Sequence, residues 1–173
     1  MNRKRVEVEL FEEHSVVNFY TIKYNGCDSE TDKFFEKFDN DKYEEDIQTI
    51  ISWIDIIGRD GAHERHFRPE GKMRDSLCAI PTEHCRLRLF ALRLSDQIVI
   101  LGNGDVKTTK NYKDDLLLNC YAETLQFIDF LLKKSINSGQ TFIHNKDIFE
   151  NNIFYLKQDC INEEKQVIRK KKI

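Results

Sequence analysis

The segment CRLRLFALRLSDQIVILGNGDVKTTKNY (residues 85–112) reads as two strands joined by a tight turn. Residues 86–94 and 97–101 are rich in apolar and β-branched side chains, and Ser95–Asp96 is a two-residue turn signal between them. Along the first strand Arg86, Arg88, Phe90 and Leu92 are expected on one face, with Leu87, Leu89 and Ala91 on the other. Gly102, Asn103 and Gly104 end the second strand, and residues 106–108 continue it beyond a bulge. The period then changes. Asn111 or Asp114 begins a helix whose stripe is Leu117, Leu118, Tyr121, Leu125, Ile128, Leu131 and Leu132, and Gly139 stops it.

Working outward, residues 5–11 alternate Val6, Val8 and Leu10 against Glu7 and Glu9, and residues 16–24 (VVNFYTIKY) suit a strand paired with them as a hairpin. Ser29 or Thr31 caps a short helix bearing Phe34, Phe35 and Phe38. Tyr43, Ile47, Ile50, Ile51, Ile54 and Ile57 recur at helical spacing, with Gly58 as the expected stop. A strand is expected over residues 72–80, a short helix over 145–156 and a frayed tail over 158–173.

At 173 residues, with 40% hydrophobic and 33% charged side chains, the chain suits one globular domain with a charged surface. No apolar run approaches the ~20 residues of a membrane helix. MNRKRVEVEL carries no apolar signal region, and the five cysteines are scattered. A reducing cytoplasm is therefore the expected compartment. The net charge of −3 hides an asymmetry: residues 59–113 hold 11 Lys and Arg against 7 Asp and Glu, and the remainder holds 16 against 23. Local excess of one sign marks an anion-binding surface better than the total does.

Three neighbouring segments can deliver those cations. Arg86 and Arg88 lie on one strand, Lys72 and Arg74 are two apart in KMR, and Lys107 and Lys110 follow the last strand with Tyr112 beyond. Arginine offers a charged fork that matches phosphate oxygens, and such a set can neutralise a phosphate and move protons without a metal. The alternative for the two strand arginines is pairing with carboxylates across the sheet. His66 is a candidate proton carrier. His63-Glu64-Arg65-His66 is one residue short of a zinc-protease HExxH, and His63, His66, Cys78 and Cys85 follow no common zinc spacing. No metal and no cofactor are expected. The Gly102–Gly104 turn lacks the rest of a phosphate-binding loop.

In order and spacing, GKMRDSL, RLRLFALRLSDQIVIL, GNGDVKTTKNY and the following helix resemble the RelE/HigB toxins of bacterial toxin–antitoxin systems, over about residues 64–132. The resemblance implies an α+β fold, a small antiparallel β-sheet flanked by helices, RelE/ParE-like with N- and C-terminal additions. It implies a ribosome-dependent mRNA endonuclease that cleaves by 2′-hydroxyl attack on the adjacent phosphate, with mRNA on the ribosome and a cognate antitoxin as partners. Carried over, Arg88 faces the scissile phosphate and Lys107 protonates the leaving group. Lys72 or Arg74 serves proton abstraction, and Tyr112 stacks on the nucleotide. Arg86, Lys110 and His66 complete the expected site. The chain is expected to form one domain, residues 1–173, with the hairpin and helix of residues 1–58 packed on the core. The rival reading is a non-catalytic protein of the same fold that binds a protein target.

Overall fold

The computed structural model describes residues 3–70, 76–81, 86–108 and 110–157. The chain is α+β, with nine strands and three α-helices in these residues: β1 (Arg3–Glu13), β2 (Asn18–Tyr24), α1 (Glu30–Lys37), α2 (Glu44–Asp60), β3 (Arg68–Pro69), β4 (Leu77–Ala79), β5 (Leu87–Arg93), β6 (Ile98–Val106), α3 (Leu116–Asn137), β7 (Thr141–His144), β8 (Asp147–Glu150) and β9 (Ile153–Lys157). Seven strands make one sheet in the order β3-β4-β5-β6-β2-β1-β9, and β7 and β8 form a separate hairpin. The sheet is mixed rather than antiparallel throughout, because β2 runs parallel to β6. A parallel neighbour needs a crossover, and α1 and α2 supply it.

Each face of the sheet carries its own core. Val6, Val8, Tyr20, Ile22, Phe90, Leu92, Ile98 and Ile100 pack with Leu118, Tyr121, Leu125, Ile128 and Leu132 of α3. Phe19, Leu87, Leu89, Ala91, Val99 and Leu101 pack with Phe34 of α1 and with Ile50, Ile54 and Ile57 of α2. Strands buried on both faces read as near-continuous apolar runs. This is why NFYTIKY and LRLFALR show so little alternation. The hydroxyl of Thr21 on β2 lies 2.7 Å from that of Thr31 on α1. Thr31 Oγ1 in turn donates to the carbonyl of Gly102 at 3.0 Å, so the start of α1 is tied to two strands.

Several local expectations hold. Ser29 caps α1 by accepting from Asp32 N at 3.0 Å, and residues 94–97 turn β5 into β6, with Leu94 N donating to Ile98 O at 3.0 Å. The expected bulge also holds: β6 runs on to Val106, and two of its residues face Phe90 alone between the pairs Leu89↔Gly104 and Ala91↔Leu101, so Gly102–Gly104 lies within the strand instead of ending it. Others need correction. Gly58 does not stop α2; the helix runs to Asp60 and ends at Gly61, whose φ of 113° is open to glycine alone at low cost. Leu10 is 50% exposed, where β1 is irregular between Leu10 and Glu12. The helix expected over 145–156 is replaced by β8 and β9. Asn145 and Glu150 have φ of 53° and 71°, which breaks any helix there. Phe154 and Leu156 are buried alternately because β9 pairs with the edge of β1. The strand expected over residues 72–80 is described only as β4, since residues 71–75 lie outside the described residues.

Gly58 has a packing reason instead. A Cβ there would meet His14 Cγ at 2.3 Å. Helix propensity favours Ala over Gly by about 1 kcal/mol, but overpacking costs about 1–3 kcal/mol. Gly58→Ala is therefore expected to lower the melting temperature. A rise in Tm would show that the ring moves aside freely.

Candidate functional site: an ionic cluster at Glu70

β3, β5, the end of β6 and the start of α3 bring a set of charges together. Arg88 points to the α3 face of β5, as its strand position requires, but it is only 1% exposed. Its Nε lies 3.7 Å from Glu70 Oε1. Arg68 Nε approaches the same oxygen at 3.4 Å, and its own side chain is half exposed. Lys107 is near enough to act on Glu70 electrostatically. Three cations thus converge on one carboxylate that is itself almost buried.

Burial dominates the chemistry of both central groups. It raises the Glu70 carboxyl above the ordinary range, against the opposing pull of Arg88, then Arg68 and Lys107. It lowers the Arg88 guanidinium, against the pull of Glu70. A charge taken from water favours its neutral form, and a neighbouring opposite charge offsets only part of that. Among the described residues Arg88 Nε and Nη1 and Glu70 Oε1 are buried and find no hydrogen-bond partner. The pair is held by charge, not by a bidentate fork.

The first turn of α3 borders this cluster. Asp115 caps the helix, its Oδ1 accepting from Leu117 N and Leu118 N at 3.0 Å each. Its other oxygen accepts from Thr108 Oγ1. Asp115 and Tyr112 both act electrostatically on Arg88. The Tyr112 ring is buried edge-on against Phe90, 5.4 Å between centroids, so it offers no open stacking face for a base.

The expected single cationic surface is therefore divided. Arg86 does not share a face with Arg88: its Nε pairs with Asp46 Oδ2 of α2 at 3.2 Å, and its guanidinium lies 4.8 Å from the centre of the Tyr43 ring. Arg86 precedes β5, so strand alternation does not constrain it. His66 Nδ1 sits 3.3 Å from Gly61 O, beside Trp53 and His63, away from Glu70. Lys110 is exposed beyond β6. Lys72 and Arg74 lie outside the described residues, as do His84 and Cys85. Cys78 is buried, with its thiol toward Ala91 O at 3.4 Å.

Sequence reading overlooked Glu70, Arg68 and Asp115. Asp115 had a usable signal, a capping residue directly before Leu116, Leu117 and Leu118. Glu70 and Arg68 had none beyond their place beside the KMR segment, because only the sheet brings them to Arg88. Among the described residues no helix is long and apolar enough to cross a membrane. No family model matches the chain, and neither a curated protein nor a solved structure matches it.

Proposed function

We propose that this chain is a RelE/HigB-like toxin, a ribosome-dependent endoribonuclease that uses the Glu70 cluster. The observation that carries the reading is the convergence of Arg68, Arg88 and Lys107 on one buried carboxylate. Cleavage by an internal 2′-hydroxyl needs a base for that proton, cations for the charge that grows on the phosphate, and an acid for the leaving 5′-oxygen. Glu70, with its proton affinity raised by burial, is the base; its side chain keeps 6% exposure, where that of Arg88 keeps 2%. Arg68 reaches solvent and meets the phosphate. Lys107 donates to the leaving oxygen. Arg88 is a positioning residue: it is too deeply buried to touch a phosphate and instead holds Glu70. Arg68, not Arg88, is the phosphate contact.

The test is in vitro translation of a reporter mRNA with purified protein, with mapping of new RNA ends. Wild type is expected to cut translating mRNA. Glu70→Gln and Lys107→Ala are expected to lose about 100-fold or more in cleavage; Lys107→Ala keeps the wild-type melt, and Glu70→Gln, which leaves Arg88 a buried unpaired charge, is assayed below its lowered Tm. Intact mRNA with wild-type protein overturns the nuclease reading.

One observation favours a second reading. Arg86 and Arg88 are both engaged with carboxylates, Asp46 and Glu70. A fold whose strand arginines serve its own stability is a binding protein of the same architecture, acting through a protein target. On that reading mRNA stays intact, and Glu70→Gln changes stability alone.

A further inference from the structure

We propose that Glu12, His14 and Asp55 form a binding site for a divalent transition-metal ion of the zinc type, apart from the Glu70 cluster. One donor atom from each lies within 4.8 Å of the other two. Glu12 comes from the end of β1, His14 from the turn before β2, and Asp55 from α2.

His14 supplies the sharpest observation. Its Nε2 lies 2.8 Å from Glu12 Oε1, yet among the described residues this buried nitrogen makes no hydrogen bond. The two atoms approach without the alignment that a shared proton requires. Donors bound at 2.0–2.2 Å to a tetrahedral ion sit about 3.3–3.6 Å apart, so the half-exposed Glu12 carboxylate has only to swing outward by under about 1 Å for both atoms to ligate one metal. The ring is also fixed in place. It meets Phe19 edge-on at 5.3 Å between centroids, and it fills the space where a side chain at position 58 would begin. Glycine inside a helix is unfavourable, so α2 gives up helix stability to seat this imidazole. Val16 N and Val17 N both donate to Gly58 O, at 3.0 and 3.1 Å, which ties the turn to the helix.

The carboxylates remain accessible. Glu12 and Asp55 are exposed, and among the described residues neither forms an ion pair with a lysine or arginine. Of the nearby cations, Lys146 contacts Glu13 and the His14 carbonyl, and Arg59 pairs with Asp60 while exerting a weaker electrostatic pull on Asp55. One imidazole and two carboxylates suit zinc, and three protein ligands leave a coordination position open. Glu12 and Asp55 also border a hollow of about 210 Å³ walled by Phe11, Phe35, Ile51 and Ile54. A bound ion sits at its mouth, with water or a ligand oxygen completing the sphere. Because the ion joins the β1–β2 turn to α2, its binding also stabilises the fold.

The test uses tag-free full-length protein stripped with chelator and titrated with zinc chloride by calorimetry, with thermal melts in parallel. One equivalent is expected to bind and to raise Tm. Glu12→Gln and Asp55→Asn should each weaken binding about tenfold or more, yet melt like wild type without metal, since both side chains are exposed. Cobalt in place of zinc should give a visible spectrum free of thiolate bands, and Cys27→Ser should bind normally. Absence of saturable binding overturns the proposal. So does undiminished binding in both carboxylate variants, which would place the ion at Cys27 or at His63 and His66.

Discussion

Replacing Arg88 with methionine will cost the fold about 3–5 kcal/mol, because it strands Glu70 as a buried charge without its closest buried partner. The pair itself is no great source of stability, since both ions give up hydration to form it. Breaking it from one side leaves the whole desolvation cost of the other. A double variant, Arg88→Met with Glu70→Leu, should recover most of the loss, and denaturant unfolding measures both. The loss also has a defined pH dependence. Burial already raises the Glu70 carboxyl, and Arg88 is the strongest of the groups that hold it down. Without Arg88 it rises further. A carboxyl raised in the folded state favours folding fully below its unfolded value, and that contribution is lost as pH climbs through the folded value. The deficit relative to wild type should therefore be smaller at about pH 4 than at about pH 7. A single variant that loses under about 1 kcal/mol would show that Glu70 is solvated and not part of a closed cluster.

Removing residues 1–58 will leave a chain that does not fold. β2 is hydrogen-bonded to β6 from Asn18↔Ile98 to Thr21↔Leu101, and β1 joins β2 to β9. The missing α2 also covers Leu87, Leu89, Ala91, Val99 and Leu101. Its loss bares one whole face of β5 and β6 and turns β6 into an apolar edge, a surface that aggregates. The fragment 59–173 is expected in the insoluble fraction, with no cooperative melt. A fragment that melts cooperatively would show that the strands after residue 59 form an independent unit.

The contrast between these two sites shows how far sequence patterns reach. Arg88 was singled out from its strand, yet its surroundings came from segments that periodicity cannot relate. Strand alternation gave its face correctly. It could not say whether that face opened to solvent, because cover is supplied by α3 and by Glu70, just beyond β3. Arg86 lies one residue before β5, where alternation no longer sets a face, and it turns to Asp46 instead. The stretch 145–156 failed for a related reason. Ile148, Phe149, Ile153 and Phe154 mimic a helical face, and only pairing of β9 with β1 and of β8 with β7 fixes them as strands.

What the amino-acid order determined by itself is local: the β1–β2 hairpin, the Ser29 cap, the turn at residues 95–96, and the long stripes of α2 and α3. Each is set by neighbours within a few residues, where backbone sterics and side-chain period act directly. The tertiary structure decided everything that joins distant segments. It placed β2 parallel to β6, buried Arg88 against Glu70, and brought Glu12 and His14 to Asp55. These choices depend on which apolar faces cover one another, and burial, not residue type, sets the charge state and reach of the groups that carry chemistry.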